Sequence, residues 1–124
     1  MKENQSPHEL AKLFKQAEEL VKSDPTAEQA VVVKTVKGNL LCFLNHNIAS
    51  GSTKEEDEFV RVLAEKKDTE IRYAVCIWND LTIDIMSLHL REALVKLDSY
   101  NKETIVILKG AEGFRLKSLK TCLP

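Results

Sequence analysis

The chain has 124 residues, and its 18 basic and 19 acidic residues leave a formal net charge of -1. This balance provides no basic field for a nucleic-acid backbone, and no apolar run approaches the ~18 residues of a membrane span. We therefore expect one soluble domain, residues 1–124, with no nucleic-acid or membrane partner. The polar start of the chain is unlike a signal peptide, which indicates a cytoplasmic protein.

The first segment with a clear pattern predicts a helix. Residues 1–6 are expected to be disordered. Ser6, Pro7 and Glu9 then match the N-cap, the first helical position and the third position of a capping box. Apolar residues follow at helical spacing until Pro25, which ends the helix.

The next segments predict a β-hairpin and a second helix. The runs 30–36 and 40–45 are apolar and β-branched, and Gly38 between them can adopt a positive φ, which is typical of a hairpin. After a polar loop, Thr53 is the predicted N-cap of the second helix, with Glu56 as its capping-box partner.

The second half of the chain predicts a strand, a helix and two further strands. Residues 71–78 are almost continuously apolar, as in a strand covered on both faces. Residues 87–97 change to helical spacing, and residues 104–109 and 114–117 are strand-like. The predicted fold is an α/β three-layer sandwich in the order α-β-β-α-β-α-β-β, with a mixed five-stranded sheet and helices on both faces.

The three cysteines, Cys42, Cys76 and Cys122, are odd in number and widely spaced. Two lie in strand-like runs, which favours buried free thiols over a disulfide. A thiol in the middle of an apolar strand is more often a packing residue than a nucleophile. The sequence has no G-x-S-x-G elbow and no phosphate-binding loop.

The order of elements and several short motifs resemble the cytidine deaminases. That family has an N-x-E-N-A-S loop after the hairpin, and here Asn45, Ala49 and Ser50 match it, while Asn47 stands where glutamate is usual. An ungapped count places the family's C-A-E motif on residues 56–58. The second motif, P-C-x-x-C-R-Q, falls on residues 86–92, and the chain ends much as the family does. The resemblance implies a cytidine deaminase-like fold over almost the whole chain.

The resemblance also implies where a catalytic zinc ion would be bound. The three ligand positions fall on Glu56, Ser87 and Leu90, and the proton-shuttling position falls on Glu58. Leucine has no donor atom, serine is a poor zinc ligand, and a single carboxylate cannot hold a catalytic zinc ion alone. We therefore expect no zinc and no other cofactor.

Four residues are candidates for a nucleoside-like ligand site. The resemblance assigns Asn45 to ribose binding, with Asn47 in the same loop, and Glu58 is the vestigial catalytic candidate. Trp78 is a possible stacking platform. Each also has a simpler interpretation: a loop asparagine, an acidic residue in the first turn of a helix, or a tryptophan at the edge of the core.

Two classes of function remain open for this sequence. The first is a non-catalytic protein that acts in interaction or assembly, as a homo-oligomer by analogy with the deaminases. The second is a binding module for a nucleoside-like small molecule. An active nucleoside deaminase or another hydrolase is the alternative, with a rearranged site that includes Glu56, His46 and His89.

Overall fold

The computed structural model describes residues 7–111 and 113–124. The helices are α1 (Pro7–Lys22), α2 (Lys54–Lys66) and α3 (Leu88–Leu97), and the strands are β1 (Gln29–Thr35), β2 (Leu40–Asn45), β3 (Ile71–Trp78), β4 (Ile83–Asp84), β5 (Ile105–Gly110) and β6 (Gly113–Ser118). Short 3-10 helices span Ser99–Glu103 and Leu119–Cys122. The predicted N-cap Ser6 and the predicted disorder of residues 1–6 lie outside the described residues. Across the described ranges, no helix is long and apolar enough to cross a membrane.

The strands form one mixed sheet in the order β2-β1-β3-β5-β6, and β4 pairs with β3. The β3–β5 pair is parallel and the other pairs are antiparallel, so α3 lies in a crossover between parallel strands. Gly38 in the hairpin turn has a φ of 95°. Within residues 7–111 and 113–124 the sheet has six strands instead of the predicted five, because β4, only two residues long, is too short to show a period in the sequence.

Helices cover both faces of the sheet, which confirms the three-layer prediction. On one face, α1 packs its apolar stripe on residues of β1, β3 and β5: Leu10, Leu13, Ala17 and Val21 meet Ala30, Val32, Tyr73, Val75, Ile77 and Ile107. On the other face, α2 and α3 contribute Phe59, Leu63, Leu90 and Leu94. Since β3 lies in the centre, its apolar residues are buried on both faces.

The predicted capping box of α2 is wrong. Thr53 occupies the N-cap position but caps no backbone group with its side chain, and its hydroxyl donates instead to Asp57 Oδ2 at 3.1 Å. Glu56 turns inward and is buried, so its carboxylate is not available to Thr53. The reason lies in the spacing: Glu56 shares the buried face of α2 with Phe59 and Leu63, three and seven residues later.

Candidate functional site

Three elements meet at the carboxylate of Glu56, which is only 3% exposed. Ser87, the N-cap of α3, lies with its Oγ 2.9 Å from Oε1 and 2.8 Å from Oε2 of Glu56. Asn45, the last residue of β2, donates from Nδ2 to the same carboxylate at 3.2 Å. These contacts tie the end of β2 and the start of α3 to the first turn of α2.

Two further hydrogen bonds extend this cluster. Asn45 Nδ2 lies 3.3 Å from Oε1 of Gln29, which is buried on β1. Ser87 Oγ accepts from the backbone N–H of Leu90 at 3.1 Å, as an N-cap serine does. Both carboxylate oxygens of Glu56 and the hydroxyl of Ser87 therefore have partners within the protein, as buried polar groups require.

The residues at the three expected ligand positions come together but do not suit a zinc ion. Glu56 and Ser87 are hydrogen-bonded to each other, and Leu90 is fully buried one helical turn beyond Ser87. This set offers one carboxylate that already accepts two hydrogen bonds, one hydroxyl and one aliphatic side chain, whereas zinc sites in proteins use Cys, His and carboxylate ligands. Across residues 7–111 and 113–124, no group of three or more His, Cys, Asp or Glu side chains is arranged to hold a metal ion.

Glu58 lies apart from this cluster. Its side chain is 59% exposed and pairs with Arg61 on the same helix, and this hydrogen bond lowers the pKa of Glu58. Residues two apart on a helix point about 200° away from each other, so Glu58 lines a groove between β2 and α2 while Glu56 faces the core. The structure thus does not bring Glu58 together with Asn45 and Ser87.

The other predicted ligand residues occupy two different environments. Asn47 is exposed in the loop after β2, where its carbonyl accepts from Ser52 N at 3.1 Å. Trp78 is half-buried at the end of β3 and donates from Nε1 to Asp84 Oδ2 at 2.9 Å. Trp78 on β3 pairs with Gln29 on β1, and Gln29 pairs in turn with Asn45 on β2. Paired residues of antiparallel strands point to the same face, so Trp78 and Asn45 share a row across the sheet with Gln29 between them.

Neither histidine of the alternative site makes a hydrogen bond to Glu56. His89 is exposed on α3, with Nε2 2.6 Å from Asp57 Oδ1. His46 lies between two other carboxylates. The histidines therefore lie beside carboxylates other than that of Glu56. The rearranged site predicted from Glu56, His46 and His89 is not assembled.

The carboxylates around His46 come from two different segments. Its Nδ1 is 2.6 Å from Glu55 Oε2 in α2, and its Nε2 is 2.8 Å from Asp24 Oδ2 in the loop after α1. Both nitrogens donate at once only in the imidazolium form. The hydrogen bonds to Asp24 and Glu55 raise the pKa of His46, and hydrogen bonds from Thr26 and then His46 lower the pKa of Asp24 to about 2. In the imidazolium form, His46 therefore joins three segments at the rim of the site.

Replacing His46 by glutamine is expected to lower the melting temperature by a few degrees near pH 5.5, and by clearly less near pH 9 (both pH values approximate). Because the folded-state pKa of His46 is raised, its stabilisation is complete below the ordinary value of 6.5 and is lost as the pH rises through the folded-state pKa. Thermal melts of wild type and H46Q at the two pH values measure this. An equal difference at both would show that the charge of His46 contributes nothing.

The three cysteines are free thiols in different environments. Cys76 is buried on β3, and burial raises the pKa of its thiol well above the ordinary value, with smaller effects of Asp84 and Glu56. Cys122 is half-buried. Cys42, which was expected to be buried, is exposed because β2 lies at the edge of the sheet.

Gln29 is the residue of this cluster that the sequence did not indicate: it opens an apolar strand and is 2% exposed. Ser87 was expected at a zinc-ligand position and at the start of a helix, and the structure adds its hydrogen bonds to Glu56. A signal for Glu56 does exist: its spacing to Phe59 and Leu63 places it on the apolar face of α2.

Comparison with known proteins identifies the fold. The sequence matches no family model and no curated protein. Among solved structures, the chain is similar to cytidine deaminase from Mycobacterium leprae, with a TM-score of 0.66 and 13% identity over 92% of this chain and 96% of that one. It is also similar to a point mutant of cytidine deaminase from Mycobacterium tuberculosis, with a TM-score of 0.64 and 15% identity over 92% and 93% of the two chains. The chain therefore has a cytidine deaminase-like fold.

Proposed function

We propose that this chain is a non-catalytic protein of the cytidine deaminase-like fold that acts in interaction and assembly and associates with itself. The observation that carries the proposal is the hydrogen-bonded cluster of Glu56, Ser87 and Asn45. It stands where the resemblance places the zinc site, and the polar atoms of Glu56 and Ser87 already have partners in the protein.

The position of Glu58 supports the same proposal. A proton-shuttling carboxylate has to reach the reacting atoms within hydrogen-bond distance. Glu58 points to solvent and pairs with Arg61, on the other side of α2 from the cluster. A catalytic role would require both a new metal-binding set and a reoriented Glu58.

Binding of a nucleoside-like molecule is the second candidate, favoured by the row of Asn45, Gln29 and Trp78 across the sheet. This row would offer an amide and an aromatic side chain on one face. Nδ2 of Asn45, however, is engaged with Gln29 and Glu56, so a ribose that binds this nitrogen would have to displace hydrogen bonds that are already formed. For this reason we rank assembly first.

Titration of the zinc-supplemented protein with cytidine, together with a deamination assay, tests the proposal. We expect no saturable binding below about 1 mM and no conversion of cytidine to uridine above the uncatalysed rate. Binding that is lost in N45A but kept in the matched variant N79A would make ligand binding the function. Turnover in wild type would establish an active deaminase and overturn the non-catalytic proposal.

A further inference from the structure

The outer edge of β2 is open. The strand is at one end of the sheet, with β1 as its neighbour, and within the described residues no other strand pairs with it. Its sequence, LLCFLN, contains no charged residue. Edge strands of monomeric proteins usually carry charges, prolines or bulges that prevent pairing with another chain. The edge of β2 has neither charges nor prolines, which indicates that it is used for pairing with another chain.

The hairpin register shows which backbone groups face outward. Thr35 N–H donates to Asn39 O at 2.9 Å, which marks this pair as hydrogen-bonded. Hydrogen-bonded and non-hydrogen-bonded pairs alternate along an antiparallel ladder. By this alternation the N–H and C=O groups of Leu40, Cys42 and Leu44 point away from β1. Three residues of β2 thus offer their backbone groups to another strand.

Apolar grooves flank this edge on both faces of the sheet. The groove beside α1, with a volume of about 290 Å³, is lined by Leu20, Val32, Leu40 and Cys42 among others. The groove beside α2, of about 530 Å³, is lined by Leu41, Phe43, Phe59 and Val62 among others. An added strand would therefore find apolar surface above and below it as well as backbone partners.

We propose that β2 pairs antiparallel with β2 of a second copy of this chain about a two-fold axis through Cys42. This register opposes Cys42 to itself and Leu40 to Leu44, so that the outward-facing backbone groups meet and form about six hydrogen bonds. The two sheets then become one continuous sheet across the axis. This inference deepens, and rests on, the self-association part of the proposed function.

The chemistry of the edge favours a second copy over an unrelated peptide. Leu41 and Phe43 flank Cys42, and Leu40 and Leu44 lie one position further out. Reversing the strand direction therefore pairs Leu40 with Leu44 and Leu41 with Phe43, which are all apolar. A two-fold interface uses the same patch on both subunits and therefore needs such self-complementarity. The groove beside α2 is lined by charges of both signs, Lys54, Glu55 and Glu58, so copies related by the axis can set opposite charges against each other.

Light scattering or sedimentation of wild type, L40K and L88K tests the interface. Leu40 is 42% exposed at the edge, and Leu88 is 41% exposed at the start of α3, which makes L88K a matched control. We expect wild type and L88K to be dimers. L40K should weaken the dimer by about tenfold or more, because two lysines would be placed in an apolar contact. Circular dichroism melts verify that all three variants are folded.

Oxidative cross-linking tests the register independently. In a hydrogen-bonded antiparallel pair the Cα atoms are about 5.5 Å apart, which lies within the range of a disulfide. Diamide, the oxidant, takes up two electrons and two protons as the two Cys42 thiols form one S–S bond. We expect a cross-linked dimer from wild type and C122S, and none from C42S.

The outcomes separate this interface from the wider proposal. A dimer that persists in L40K and does not cross-link through Cys42 overturns the β2 interface and leaves self-association standing. A wild-type monomer at millimolar concentration overturns both. Neither result tests the expectation that the chain binds no zinc, which is measured separately.

Discussion

A variant carrying E56C, S87C and L90C is expected to bind about one zinc ion per chain, whereas wild type is expected to bind almost none. The fold already places two of these positions side by side, with Ser87 Oγ 2.8 Å from a carboxylate oxygen of Glu56. Leu90 follows one turn later on α3 and is fully buried. Three thiolates and one water complete a tetrahedral zinc site, so the substitutions supply the donors that the wild-type residues lack.

The matched control keeps E56C and S87C but carries L90A, which offers two thiolates and is expected to bind zinc far more weakly. Zinc content is measured by elemental mass spectrometry after gel filtration, and thermal melts verify that both variants are folded. We expect no gain of deaminase activity, because Glu58 points to solvent. Equal zinc content in the two variants would contradict the convergence of the three positions.

Replacing Asn101 by alanine is expected to lower the free energy of unfolding by about 3 kcal/mol, or about 10 °C in melting temperature. Asn101 is fully buried in the 3-10 helix after α3. Its Oδ1 accepts from Ile71 N at 2.8 Å, and its Nδ2 donates to the carbonyls of Thr69 and Leu94, each at 2.9 Å. N101A therefore removes the partners of the Ile71 N–H and the Thr69 carbonyl where β3 starts. The Leu94 carbonyl at the end of α3 loses one of its two donors and keeps the N–H of Asp98 at 3.2 Å.

The control for this prediction is N79A. Asn79 is an exposed asparagine whose side chain makes a 3.3 Å hydrogen bond to Ala27 O, and its replacement is expected to cost about 0.5 kcal/mol or less. Urea unfolding followed by circular dichroism measures both variants. If N101A unfolds at the same midpoint as N79A, the buried hydrogen bonds of Asn101 do not stabilise the start of β3.

Much of the fold was predictable because local patterns agreed with the tertiary structure. The apolar run of β3 marked a strand buried on both faces, and the change of spacing after Ser87 marked α3. The short motifs around Asn45 and near the chain end added the resemblance to the deaminases, which the structural comparison confirms for the fold. Strand β4 was missed because two residues carry no measurable period.

The site was less predictable because side-chain direction decides it. Residues 55–57 are all acidic and sit in the first turn of α2, a position where the helix dipole favours any acidic residue, so that only the spacing of Glu56 to Phe59 and Leu63 sets it apart. The structure turns Glu56 inward and leaves Glu58 outside, a distinction that composition does not contain. Asn101 was missed for a similar reason: a single asparagine in a connecting segment looks like an ordinary turn residue.

The zinc content of the wild-type protein, purified after expression in zinc-supplemented medium, tests the central claim most directly. Elemental mass spectrometry is expected to find less than about one zinc ion per ten chains, because Glu56, Ser87 and Leu90 supply one usable donor group between them. Close to one zinc ion per chain would contradict this account. It would direct the search for ligands to Cys42, His46, Glu56, Cys76 and His89, with a hydrolytic enzyme as the leading hypothesis.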